Sequence, residues 1–228
     1  MLKSLLTEFL NLIYPKTCAA CEGLLNKDEA LICLKCLYHL PRTNFHAQPN
    51  NKMEQRFWGK FPVVRAAAFF RFQKDSPFQK LLHHLKYKGG KEIGQVLGEY
   101  FAEDLVLSDF SAVDVIVPVP LHRKRLKKRG YNQSEWIAKG IAAKLQKPLN
   151  TNTLLRVIAN PTQTKKSASE RWENVEGIFE IKDREAFKNR HVLLVDDVLT
   201  TGATIVACAT AILQCEGARL SVATLAIA

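Results

Sequence analysis

Two kinds of apolar segment alternate along this chain. Short unbroken runs, VVRAAAFFRF from Val63, VDVIVPVP from Val113, GIFEI from Gly177, HVLLV from His191 and LSVATLAIA from Leu220, have the length of buried strands. PFQKLLHHLKYK, EIGQVLGEYFAEDL, NQSEWIAKGIAAKLQ and TIVACATAILQ place apolar residues at helical spacing instead. Gly89 and Gly90 separate the first two helices, and Gly217 ends the last. Strand and helix in repetition predict an α/β fold, a parallel sheet with helices on both faces. In such sheets ligands bind beyond the carboxyl ends of the strands. Two of these ends are unusual: VDVIVPVP runs into LHRKRLKKRG, and HVLLV runs into DDVLTTGAT. Both loops are expected to face one crevice.

The first 57 residues follow a different pattern. Leu2, Leu5, Leu6, Phe9, Leu10 and Ile13 form one stripe of a helix stopped by Pro15, expected to pack on its own protein. A membrane-surface helix fits less well, because the polar face carries one lysine. Thr7 and Glu8 interrupt the apolar run and no small-residue cleavage site follows, so a signal peptide is not expected. No window reaches the roughly twenty apolar residues of a membrane span. A cytoplasmic protein without membrane insertion is expected. TNFHAQPNNKMEQR, from Thr43, reads as a linker, dividing the chain into a module at 1–57 and a domain at 58–228.

Four of the six cysteines stand as Cys18-Ala-Ala-Cys21 and Cys33-Leu-Lys-Cys36. Two residues between thiols let one tight turn aim both sulfurs at a point, and two such turns supply the tetrahedral set that suits structural Zn²⁺. A redox site needs one pair, not two. Cys208 and Cys215, on the last helical segment, read as ordinary buried thiols.

Of 228 residues, 47% are hydrophobic and 24% charged, which supports a packed core and argues against disorder. A net charge of +11 favours anionic partners: nucleic acid, phosphorylated small molecules or a membrane surface. Residues Thr200, Thr201, Gly202, Ala203 and Thr204 are small, so consecutive N–H groups can curl toward one point at a helix N-terminus. The helix dipole contributes only about 0.3–1 kcal/mol. Several charge-assisted hydrogen bonds, at roughly 1.5–3 kcal/mol each, reach the about 8 kcal/mol of micromolar binding. Beside this phosphate cup, Asp196 and Asp197 can accept hydrogen bonds from hydroxyls and help hold Mg²⁺. A phosphate cup next to a hydroxyl acceptor pair suits ribose 5-phosphate. No GxxxxGK[ST] and no GxGxxG follows a strand, so neither a nucleoside triphosphatase nor a dinucleotide fold has support.

VLLVDDVLTTGAT resembles the phosphoribosyl-pyrophosphate (PRPP) loop of type I phosphoribosyltransferases. PVPLHRKRLKKRGYNQ, TQTKKSASERWENVEGIF and the four N-terminal cysteines together resemble the ComF family of competence-associated proteins. That resemblance implies a type I phosphoribosyltransferase-like sheet with a small zinc-ribbon-like module. It places ribose hydroxyls on Asp196 and Asp197 and the 5-phosphate on residues 200–204. Pyrophosphate would meet Arg123, Arg125, Lys128, Arg129, Asn132 and Gln133, with Arg129 and Lys165 as catalytic candidates. Gln163, Arg171 and Asn174 are motif positions in a segment, 160–174, expected to close over substrate. The family usually carries a hydrophobic residue near Lys166; this chain has none there. It also has no N-terminal nucleophilic cysteine and no glutaminase domain, so ammonia release from glutamine is not expected.

Six cations in the seven positions from Arg123 to Arg129 exceed what pyrophosphate needs, which points to a longer polyanion such as single-stranded DNA. Tyr131, Trp136 and Trp172 are candidate stacking faces, although Trp136 lies in a helical pattern that favours core packing. Two functions satisfy these residues. One is a PRPP-binding protein handling single-stranded DNA during DNA uptake, with cytoplasmic helicase or recombination partners. The other is a Mg²⁺-dependent phosphoribosyltransferase, amidophosphoribosyltransferase-like, acting on a small-molecule acceptor.

Overall fold

The structure, a computed structural model, describes residues 15–87, 90–158 and 177–228. The helix expected over residues 2–13 and the segment 160–174 lie outside the described residues.

Four strands form a sheet in the order β1 (Val63–Arg71), β6 (Arg219–Ile227), β5 (His191–Leu199), β2 (Val115–Pro118), and every pairing is parallel. Val192, Leu193, Leu194 and Val195 of β5 are all buried, as are residues 220–227 of β6. A strand whose inward and outward residues are both buried is covered on two faces, which is why these segments are unbroken apolar runs and not alternating ones. The connections are helical: α3 (Pro77–Tyr87), α4 (Lys91–Val106), α6 (Gln133–Leu145) and α7 (Ala203–Ile212). VVRAAAFFRF forms one strand, and β5 continues through both aspartates to Leu199.

Helices α4 and α6 cross very closely. A Cβ on Gly98 would lie 2.2 Å from the carbonyl oxygen of Ile137, and one on Gly140 would lie 2.1 Å from that of Gln95. The two glycines let backbone meet backbone, which seats the N-terminus of α6 against the end of β2.

The basic stretch, expected to be a loop, is instead helix α5 (Arg123–Arg129). The His122 ring accepts from the Lys124 N–H at its start, and Gly130 ends it with a left-handed φ of 81°. Lysines and arginines are good helix formers, and the three cations of its last turn favour the negative end of the dipole. A short antiparallel pair, β3 (Leu154–Arg156) with β4 (Phe179–Ile181), stands apart from the main sheet.

The expected linker is packed structure. Arg42 bridges Phe70 at the free edge of β1, and the Thr43 hydroxyl donates to the Ala68 carbonyl. Asn51 caps the short helix α2 (Lys52–Gln55) and its amide also donates to the carbonyls of Ala66, Phe45 and Gln48. Phe45, Met53 and Phe57 are buried. Buried Arg65 of β1 bonds Glu54 at 2.9 Å, Asp109 and the His46 carbonyl, so its charge is paired on three sides. Prolines, asparagines and isolated apolar residues read as a linker because their hydrogen bonds run sideways to β1, which no periodicity reveals. The short helix preceding this segment, α1 (Leu34–Tyr38), belongs to the cysteine cluster.

Candidate functional site

The parallel pairing of β2 with β5 puts Pro118 opposite Val195, so the two unusual strand ends emerge side by side. The Val119 N–H donates to the Val195 carbonyl at 2.8 Å, extending the pairing to the point where Asp196 begins. The side chains of Asn132 and Ser134 then stitch the start of α6 to both strands. Asn132 Nδ2 donates to the Val119 carbonyl at 2.9 Å, and Ser134 Oγ donates to Asp196 Oδ1 at 2.8 Å.

Asp196 and Asp197 take different environments. Asp196 Oδ1 also accepts the Asp197 N–H at 2.9 Å, while Asp197 Oδ1 accepts the Val198 N–H at 2.7 Å. Lys86, near the end of α3, places its ammonium 3.6 Å from Asp197 Oδ2. Removal from water and the adjacent Asp197 charge push the Asp196 carboxyl up to about 7, against the pull of Ser134, the Asp197 N–H and Lys86. One strand end therefore holds two adjacent carboxyl groups, one of them, Asp196, poised to lose its proton near neutrality. Hard oxygen donors of this kind suit Mg²⁺, which binds through one or two carboxylates plus ligand phosphates.

Across the strand end, Gly202 has a left-handed φ of 84° and α7 starts at Ala203. Thr201 Oγ1 accepts the Ala203 N–H at 3.4 Å. Residues 200–204 thus turn immediately beyond β5, within three to seven residues of Asp197. Asn132 and Gln133 are buried at the N-terminus of α6, and Asn132 Oδ1 and Gln133 Nε2 have no hydrogen-bond partner among the described residues. An amide can present either a donor or an acceptor, so this pair fits a polar ligand in the crevice.

The basic helix opens from the same strand end. Arg123, Lys124, Arg125, Lys127 and Lys128 are exposed, and Arg129 donates to Gln133 Oε1. Lys165, Gln163, Arg171, Asn174 and Trp172 lie outside the described residues. Tyr131 is not a stacking face: it is buried, donating to the Leu85 carbonyl at 2.6 Å and accepting from the Gly90 N–H. Trp136 is half-buried rather than in the core, with Lys139 4.0 Å and Lys91 5.6 Å from its ring centre.

Three residues at the site were not legible in the sequence. Lys86 sits on a helix that reads simply as amphipathic. Ser134 looks like a helix-start residue. Arg156, on β3, is held over the Phe179 ring at 5.4 Å, and its charge is felt by Asp196, Arg125 and Cys208. Burial, then the neighbouring Arg125, lowers the hold of Arg156 on its proton. For Lys86 and Arg156, only the fold connects distant segments with the strand end.

At the other end of the module, the sulfurs of Cys18, Cys21, Cys33 and Cys36 lie within 4.8 Å of one another. Cys21 and Cys33 are 3.8 Å apart, the edge of a tetrahedron with arms of about 2.3 Å, the Zn–S distance. The N–H groups of Ala20 and Cys33 point at Cys18 Sγ, each at 3.4 Å. Burial works against the Cys18 thiolate, but these donors and that of Cys21 outweigh it and bring the thiol down to about 7. Burial drives Cys36 the other way. An uncompensated set of four close sulfurs is unfavourable, and a divalent cation resolves it. The cluster fits a closed structural site with no position left for chemistry.

Comparison with known proteins agrees with this geometry. Residues 131–227 match the phosphoribosyl transferase domain. The chain is 27% identical to DNA utilization protein YhgH of Escherichia coli K12 over 210 residues, 90% of this chain and 87% of that one. It is 33% identical to competence protein ComFC of Bacillus subtilis 168 over 132 residues, 56% of this chain and 50% of that one. Among solved structures, a glutamine PRPP amidotransferase from B. subtilis superposes with a TM-score of 0.45 at 17% identity, covering 63% of this chain and 30% of that one. Fold and site therefore define a phosphoribosyltransferase-domain protein carrying a four-cysteine module. More particularly, its similarity to a DNA utilization protein and to competence proteins supports the ComF family.

The raised Asp196 has a consequence for stability. The folded state holds the protonated carboxyl better than the unfolded chain, whose carboxylate ionises near the ordinary 3.8. That contribution is complete below the unfolded value and is lost as pH rises through about 7. Asp196→Asn keeps the shape and removes the charge. Its Tm should exceed that of the parent at pH 8, by about 2–4 °C for each kcal/mol of repulsion relieved, and match it near pH 4. Thermal scans at the two pH values check this; equal Tm values at pH 8 would count against it.

Proposed function

We propose that the protein binds PRPP with Mg²⁺ at the end of β5 and handles single-stranded DNA along helix α5, in support of DNA uptake in the cytoplasm. The observation that carries the first part is the carboxylate pair itself: Asp196 and Asp197 side by side at the end of β5, held by Ser134 and Lys86, immediately before the loop 200–204. A ligand bringing vicinal hydroxyls and a cation to one side and a phosphate to the other relieves the repulsion and satisfies the loop together. In this reading Asp196 and Asp197 take the ribose hydroxyls, and Thr200, Thr201, Gly202, Ala203 and Thr204 take the 5-phosphate. Arg129, Asn132 and Gln133 face the pyrophosphate, and Zn²⁺ sits on Cys18, Cys21, Cys33 and Cys36.

Support for the second part is the exposure of the cations on α5. Arg123, Arg125 and Lys128 are exposed, so they are open to a backbone of phosphates longer than a single ligand. The names of the relatives, a DNA utilization protein and a competence protein, favour DNA as that polyanion. A DNA-uptake helicase or recombination protein would be the natural partner. Transfer of phosphoribose to an acceptor is the second reading, favoured by the matched phosphoribosyl transferase domain.

Two measurements test these parts separately. Calorimetric titration of PRPP with Mg²⁺ should give saturable, micromolar binding, abolished in Asp196→Asn/Asp197→Asn. No heat with folded, zinc-loaded protein would remove PRPP from the reading. For DNA, the log–log dependence of single-strand affinity on salt should flatten by roughly 2 when Arg123, Arg125 and Lys128 are changed to glutamine, at about 0.7 per phosphate contact. An unchanged slope would take α5 out of the DNA reading.

A further inference from the structure

Beneath the loop 200–204 lies a contact that belongs to neither part of that reading. Arg56, from the segment that leaves the cysteine module, reaches 144 positions along the chain to the loop. Its Nη1 donates to the Thr200 carbonyl at 2.8 Å, and its Nη2 donates to the backbone oxygen of Ala228 at 2.6 Å. The Ala228 N–H in turn donates to the Leu199 carbonyl at 2.9 Å, so three separate stretches of backbone are tied at one point.

We propose that Arg56 is a positioning residue for the phosphate cup, so that the ligand site is completed by the N-terminal segment. The reasoning begins with the peptide bond. In a trans peptide the carbonyl and the following N–H point in opposite directions. Holding the Thr200 oxygen on a guanidinium therefore turns the Thr201 N–H away from Arg56. The next residue is fixed from below. A Cβ on Gly202 would lie 3.3 Å from Cε1 of Phe57, so the neighbour of Arg56 in sequence forms the floor of the turn. Clamp and floor come from two consecutive residues.

Their base is packed into the core and hydrogen-bonded to β1. The Asn51 side chain accepts from the N–H groups of Met53 and Glu54 and bonds Ala66 of β1, and Met53 and Phe57 are fully buried. Arg56 itself is exposed, so removing its guanidinium strands no buried charge and leaves the core intact. A loop whose N–H groups already converge loses less conformational freedom on binding, and affinity gained in this way needs no contact between Arg56 and ligand. This rests on the reading of the loop as a ribose-phosphate site; the clamp itself does not.

The experiment compares the full chain with Arg56→Ala and Arg56→Lys by amide hydrogen exchange without ligand, then by calorimetry with ribose 5-phosphate and with pyrophosphate. Arg56→Ala should raise exchange about tenfold at Ala203 and Ala228, whose N–H groups are hydrogen-bonded at the clamp, while β5 and α6 keep their rates. Ribose 5-phosphate should bind about tenfold more weakly and pyrophosphate equally well, with Arg56→Lys, which can make one bond, in between. Unchanged exchange in Arg56→Ala overturns the proposal. Faster exchange spread over β5 and α6 overturns it too, since it reduces Arg56 to general stability. If the parent binds no ribose 5-phosphate, the ribose-phosphate reading fails, and the exchange comparison still decides the clamp.

Discussion

Repulsion between Asp196 and Asp197, held side by side at the end of a central strand, is the constraint around which the site is arranged. Two adjacent residues on a strand point to opposite sides, which separates the carboxylates without isolating them. The fold then treats them unequally. Ser134 and a backbone N–H bond the partly buried Asp196, while Lys86 stands near Asp197. Such an arrangement costs stability at neutral pH in the empty protein and is relieved by hydroxyl donors or a cation.

The neighbouring structure makes that arrangement rigid. Parallel pairing of β2, β5 and β6 brings the ends of the strands into one plane, and the glycine contacts of α4 with α6 let the N-terminus of α6 approach them. Residues 42–57 seal the free edge of β1 with side-chain hydrogen bonds, which protects an otherwise open sheet edge. The same segment ends under the loop 200–204. That strap follows the cysteine cluster in the chain and runs along the sheet to the proposed ligand site.

The central architecture was legible because buried strands and amphipathic helices leave strong periodic signals. The strand HVLLV and its acidic end could be placed at the sheet's carboxyl edge from sequence alone, and the two cysteine pairs could be read as one cluster, whose sulfurs the fold gathers. Helix α5 was not legible: with Leu126 its single apolar residue, it has no apolar stripe, and its helix rests on propensity and on capping by His122 and Gly130. Strands β3 and β4, three residues each, are too short to show alternation. Residues 43–56 looked like a linker because Asn51, Thr43 and Arg65 hold it by polar bonds to β1, and patterns of hydrophobicity cannot show such bonds. Lys86, Arg156 and Arg56 reach the strand end across long stretches of sequence, and only the three-dimensional fold joins them to it.

The central claim is that ligand and carboxylate pair are coupled, and proton release measures that coupling most directly. Binding of PRPP and Mg²⁺ should be followed by calorimetry at pH 7 in two buffers of different ionisation enthalpy. With Asp196 near about 7 in the free protein, a ligand that favours its ionised form should release about half a proton per chain in the parent and none through this group in Asp196→Asn. Binding with the same proton count in both proteins would contradict the claim, and so would the absence of binding to the parent.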